Sequence, residues 1–208
     1  MDQKDYLDTR RSLHGIAESV MAGPQFRSSE TIRLTAAPGG FATVRQPSLA
    51  VDGQWLLAGG QRVAELDGTT YARLAAAAGI DLGAPVGVYS DDSGVAPDET
   101  IRVDPAAAGL IARTFEAGDQ ALRRLLPGQT PVLWPEHFDL GCSNDEVNFG
   151  VSPGDAAIAE PYAYVGPWTQ RTGEFWNQSF GAARTLAELG DADGVYAFFE
   201  QGRRAAGA

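Results

Sequence analysis

A single cysteine, Cys142, excludes an intramolecular disulfide, so the fold has to rest on a packed core. That residue can be imagined as a nucleophile, but a lone cysteine is more often a small packing residue. Basic runs are absent and the net charge is -11, which argues against recognition of nucleic acid or an anionic membrane through the general field of the protein. A local basic pocket is compatible with that balance. No apolar stretch approaches the roughly 20 residues of a membrane-spanning helix. The opening MDQKDYLDTRRSL also lacks the apolar core of a secretory signal. The expectation is a cytoplasmic protein. Nucleotide signatures are missing as well: Pro38-Gly39-Gly40 has no later glycine or Lys-Ser/Thr and no following helix, so it reads as a turn. No cofactor is named by the sequence. Internal repeats, low-complexity linkers and domain boundaries are not seen.

What is present is an ordinary globular composition, 44% hydrophobic and 21% charged over 208 residues. That length suits one domain with a well-buried core. Leu13, Ile16, Ala17, Val20 and Met21 follow helical spacing and predict an amphipathic helix over 5–22, stopped by Gly23-Pro24. Segments 31–37, 41–44, 49–51 and 55–57 have strand character and predict an antiparallel sheet, with Asp52-Gly53 as a hairpin turn. A short helix is expected from Asp67 to Ala78, closed by Gly79. Gly83–Thr100 is a long polar connection with room for one strand at Pro85–Tyr89, and it is the candidate lid. Asp104-Pro105 starts a helix to Leu126, within which Gly109 and Gly118 each cost about 1 kcal/mol relative to alanine. Phe175, Trp176 and Phe180 are expected to pack over a sheet edge or roof a pocket, and a last helix over about 192–204 to bury Val195, Phe198 and Phe199. The fold class is α+β, a single domain over residues 1–208 with a curved antiparallel sheet packed against several helices.

The chemistry-bearing residues gather in Pro131–Trp168. Val132–Leu140 predicts a strand, interrupted at Pro135, that sets His137 and Asp139 on one face about 7 Å apart. The loop GCSND leads to a second strand, Glu146–Val151. Ser152-Pro-Gly-Asp155 makes a turn, and Tyr162–Val165 forms a third strand. A register that aligns these faces brings His137, Asp139, Asn148, Tyr162 and Tyr164 to one polar patch. In the first helix His14 and Glu18 are four apart and share a side at the margin of the apolar stripe. Two readings of these groups stand side by side. The His-x-Asp pair can be a structural hydrogen-bonded pair that pins a loop, and His14 with Glu18 a surface pair. Alternatively both point into a cleft between helix and sheet.

Several phrases recur together: Leu13-His14, Ile32-Arg33-Leu34, Trp134-Pro-Glu-His-Phe-Asp-Leu140, Asn148-Phe-Gly, Ser152-Pro-Gly-Asp155 and Glu160-Pro-Tyr-Ala-Tyr-Val165. Their order resembles a widespread bacterial family of uncharacterised proteins, common in actinobacteria. The likeness spans nearly the whole chain, and its C-terminal phrases are the more specific. It implies that His14, His137 and Asp139 hold hallmark positions, and it carries over no catalytic assignment.

The first functional expectation is a small-molecule enzyme. In a metal-free form His137 serves as general acid or base, oriented by Asp139 and joined by His14. Asn148, Tyr162, Tyr164 and Glu18 then hold the substrate. A two-histidine-plus-carboxylate metal site is the other form. The second expectation is a non-catalytic ligand-binding or protein-interaction module, whose acidic surface suits a basic partner. A serine hydrolase using Ser152 fails on context, because Ser-Pro-Gly-Asp lies between strands and not at a strand-to-helix elbow. Exposure discriminates: both histidines in one open cleft favours catalysis, and both sealed in packing favours structure or binding.

Overall fold

The computed structural model describes residues 2–89 and 93–207. The chain groups into two compact units, 1–113 with 133–138, and 114–132 with 139–208. Each is α+β, an antiparallel sheet packed against helices, the class expected from the sequence.

The first unit opens with α1 (Gln3–Gly15), capped by the Asp2 side chain at Lys4 N–H. The helix does not stop at Gly23-Pro24 as expected. It widens into a π-helix over Ile16–Ala22 and continues as α2 (Gly23–Ser29), ending on Glu30 in the left-handed conformation. The proline is tolerated because the π segment has already changed the bonding pattern. Gly23 N–H reaches back five residues to the Glu18 carbonyl. In the same pattern Pro24, which has no N–H, would serve the Ser19 carbonyl. That carbonyl instead accepts Gly83 N–H at 2.9 Å. A loop thus supplies the hydrogen bond that the helix cannot.

The sheet of this unit runs β6-β1-β2-β3-β4-β5: β1 (Leu34–Ala37), β2 (Gly40–Thr43), β3 (Leu49–Asp52), β4 (Trp55–Ala58), β5 (Gln61–Glu65) and β6 (Val132–Trp134). The four expected strand segments are all present, and β5 is an addition that sequence patterning missed, since all but one of its residues are exposed. Turn residues Gly53 and Gln54, not Asp52-Gly53, join β3 to β4, with Asp52 paired to Trp55. Helix α3 (Tyr71–Ala78) starts later than expected, at the Thr70 cap, and closes on Gly79 with φ +66. Pro85–Tyr89 is not a strand. Residues 90–92 of the same connection lie outside the described residues. Helix α4 (Pro105–Leu125) begins where Asp104 caps Ala107 N–H, as expected, and its residues through Arg113 belong to this unit. Ile16, Met21, Leu34, Phe41, Leu56, Leu66, Tyr71, Leu74 and Ile101 form its fully buried core.

In the second unit β7 (Asp139–Asn144), β8 (Val147–Ser152), β9 (Tyr162–Pro167) and β10 (Ala182–Thr185) pair in sequence order. The residues expected to form the GCSND loop are therefore mostly strand. The chain turns instead at Asp145-Glu146, where both residues take positive φ, 47 and 60, the geometry that suits a two-residue hairpin. Leu140, Phe149, Val151, Ala163 and Val165 make the apolar face. The later part of α4 lies on it: a Cβ on Gly118 would stand 2.2 Å from Val151 Cγ2. Helix α5 (Leu186–Leu189) carries a Thr185–Glu188 capping box, and α6 (Ala192–Ala206) packs Gly202 on Val165, where a Cβ would stand 2.6 Å from Cγ2. Phe199 meets Phe149 edge-on, and Phe175 packs against Trp176 and Phe198.

Candidate functional site

The expected site residues fall in both units, and each group is described within its own. In the first unit the notable group is Glu18. It lies in the π-helix, every residue of which is buried, and it is itself 1% exposed. A π-helix is rare and commonly marks a functional position, because the wider turn re-aims side chains. Glu18 Oε2 accepts two hydrogen bonds from Ser93, from its N–H at 2.8 Å and from its Oγ at 2.5 Å. Oε1 has no hydrogen-bond partner among the described residues. A buried carboxylate oxygen without a donor is costly, about 1–3 kcal/mol or more. Glu18 borders a cleft of about 140 Å³ whose wall includes Tyr71, Leu82, Ala84, Ser93 and Val95.

The cleft is held open by close backbone contacts and by two arginines. A Cβ on Gly23 would sit 1.7 Å from the Gly83 carbonyl oxygen, so only glycine permits this approach. Arg27 donates to the carbonyls of Asp81 and Gly83 at one end of the loop. Arg11 donates to the carbonyls of Ser93 and Gly94 at the other and pairs with Glu99. The connection read as a candidate lid is thus tied at both described ends to the first helical stretch.

His14 is half-buried and faces elsewhere. Its Nε2–H donates to the Pro135 carbonyl at 2.8 Å, and its ring stacks on Phe138 at 5.5 Å between centroids and 9° between planes. Burial is the main cause that lowers its pKa below 6.5. The Glu18 charge and the Pro135 bond oppose that shift, and His137 and Arg10 reinforce it. His14 therefore clamps the turn 135–138 in its neutral form. His137 is in that turn, exposed, and not on a strand. Pro135 ends β6, and Phe138, at φ +51, breaks the alternation that would have set His137 and Asp139 on one strand face. The two histidines differ in environment, so they share neither an open cleft nor a sealed core.

In the second unit the register puts Asp139, Asn148, Tyr162 and Tyr164 on the same face of the sheet, as expected, together with Ser152 and two glycines. The glycines decide the geometry. Cβ atoms on Gly150 and Gly141 would stand 2.5 Å and 3.1 Å from the Tyr164 hydroxyl, so the phenol lies flat across them and donates to Asp139 Oδ2. Burial first, and then the Asp139 carboxylate, raise the Tyr164 pKa well above 10.0. Tyr162 donates instead to Asp155 Oδ2 at 2.6 Å and tethers the loop after β8. Asn148 stands towards the hairpin end, where its Oδ1 accepts from Ser143 and from Trp168 Nε1. Cys142 is on the opposite face, and burial raises its pKa to about 11, which disfavours the thiolate at neutral pH.

No group of three or more His, Cys, Asp or Glu side chains placed to hold a metal ion occurs among the described residues. Sequence reasoning missed Ser93, Tyr71 and Gly83 as neighbours of Glu18. Their only signal was that a long polar loop must anchor somewhere. No family profile, curated protein or solved structure matches the chain.

Proposed function

We propose that the chain is a small-molecule-binding protein whose ligand occupies the cleft beside Glu18 in the first unit. The observation that carries this reading is the Glu18 carboxyl: one oxygen is fixed by Ser93, the other is buried with no donor among the described residues, and the side chain borders a cleft. Buried polar atoms are nearly always satisfied, so Oε1 calls for a donor beyond the described residues. The π-helix that aims Glu18 and the glycine contact that seats the loop are local departures from regular structure. Such departures concentrate at sites that do something.

The test is a screen of small compounds by thermal unfolding on the whole chain and on Ala84→Phe, which fills the cleft. A ligand at about one hundred times its Kd adds roughly 2.7 kcal/mol. For a chain of this size that is a rise of roughly 5–10 °C. Binding by the wild type but not by the filled variant is expected; equal shifts in both, or none, overturn the reading.

A further inference from the structure

We propose that the ligand of the Glu18 cleft is a small organic cation, an alkyl or aryl ammonium, whose charged head donates to Glu18 Oε1 while its apolar body lies along the cleft wall. The inference rests on the binding reading above and adds the chemical class.

Four observations lead to it. Oε2 accepts two hydrogen bonds from Ser93, one from its N–H and one from its O–H, which leaves Oε1 to be met by another donor. The remaining oxygen requires a donor, and a buried negative charge is best offset by a donor that also carries positive charge. Among the described residues no basic side chain lines the cleft, and the two helix arginines that hold its loop are committed, Arg27 to the Asp81 and Gly83 carbonyls and Arg11 to Glu99 and the Ser93 and Gly94 carbonyls. His14, one turn before Glu18 in the chain, gives its Nε2–H to Pro135.

The rest of the wall limits what carries the charge. Leu82, Ala84 and Val95 offer aliphatic surface, and Tyr71 completes that part of the wall. For a bare metal ion Glu18 is the only carboxylate among the described residues of the wall, whereas hard cations are held by several carboxylate and other oxygen ligands. Volume sets the size. An engineered apolar cavity of ~150 Å³ holds benzene, so the cleft of about 140 Å³ suits a body of roughly six or seven non-hydrogen atoms.

Calorimetric titration in phosphate buffer, free of amine buffers, tests the class. The probes are n-butylamine and benzylamine at neutral pH, n-butanol and benzyl alcohol as neutral partners of matching shape, and potassium chloride. The amines are expected to bind the wild type at least roughly tenfold more tightly than the alcohols, with potassium chloride silent. Glu18→Gln, which removes the charge but keeps the shape, is expected to erase that preference. Alcohols that bind as well as amines, in a manner blocked by Ala84→Phe, overturn the cationic class and leave the binding site standing. Amine binding that survives Ala84→Phe, or no binding by any probe, overturns both. If Glu18→Gln does not fold, the amine-to-alcohol ratio on the wild type and its loss in Ala84→Phe decide the matter alone.

Discussion

Ser19 gives its main-chain carbonyl to Gly83 N–H at 2.9 Å because Pro24, five residues further along the helix, has no N–H to offer. The pair joins the π-helix to the loop that forms the cleft wall, and it explains why the chain runs straight through a Gly-Pro that would ordinarily end a helix. The same contact places Gly23 against the Gly83 carbonyl.

Gly23→Ala is therefore expected to be strongly destabilising. Its Cβ would stand 1.7 Å from a backbone oxygen, which cannot move aside without breaking the Ser19–Gly83 bond. A loss of about 3 kcal/mol is predicted, seen as a fall in Tm of roughly 6–12 °C. A variant as stable as the wild type would mean that the loop is not seated there.

Gln25 is fully buried and saturates its amide. Nε2 donates to the Thr31 and Arg33 carbonyls, and Oε1 accepts from Val44 and Arg45 N–H, all within 2.7–3.0 Å. One side chain thus closes the end of α2 onto two strand approaches. Gln25→Leu keeps the volume and removes all four bonds, and a loss of about 3 kcal/mol in urea unfolding is expected. A change under about 1 kcal/mol would show that water replaces the amide without cost.

The two glycines of α4 are predicted to respond with opposite sign. Gly109 has only the flexible tip of Arg113 near its would-be Cβ, at 3.3 Å, so Gly109→Ala should stabilise by about 0.5–1 kcal/mol through helix propensity. Gly118→Ala meets Val151 at 2.2 Å and should destabilise by about 1–3 kcal/mol despite the same propensity gain. Adding Val151→Ala to Gly118→Ala should recover part of that loss, measured as a coupling in a double-mutant cycle. Two stabilising alanines would contradict the packing described for the second unit.

His14 links stability to pH. Its folded pKa is lowered below 6.5, so the unfolded chain takes up the proton first as pH falls. The His14 contribution is complete above about 6.5, declines as pH drops towards the folded value, and is flat below it. His14→Gln keeps a donor for Pro135 and cannot titrate. The wild type should thus lose stability relative to this variant between pH 7.5 and 5.5, by urea unfolding at both values. A constant difference would place His14 in solvent.

Legibility in the sequence followed the strength of the local signal. The α+β class, the first four strand segments and the shared face of Asp139, Asn148, Tyr162 and Tyr164 came from period-two and period-3.6 patterns, which burial enforces, and the Asp104 cap from the Asp-Pro pair that opens a helix. The run through Gly23-Pro24 did not, because the π-helix depends on a bond from Gly83, 64 positions away from Ser19. His137 was misplaced for a related reason: Phe138 takes a left-handed conformation to stack on His14, a contact that no local pattern announces. Strand β5 was missed because its residues are mostly exposed and show no alternation. Glu18 itself was legible only as the i+4 neighbour of His14. Its partner Ser93 lies in a loop whose polar composition fits many roles equally well.

The most direct test of the account is to map, by amide chemical shifts on the isotope-labelled whole chain, where a compound selected in the thermal screen binds. Binding beside Glu18 predicts saturable shifts at Glu18, Gly83, Ala84, Ser93 and Val95, and their disappearance in Ala84→Phe. Shifts confined to other residues, or none at concentrations that raise the Tm, would contradict it.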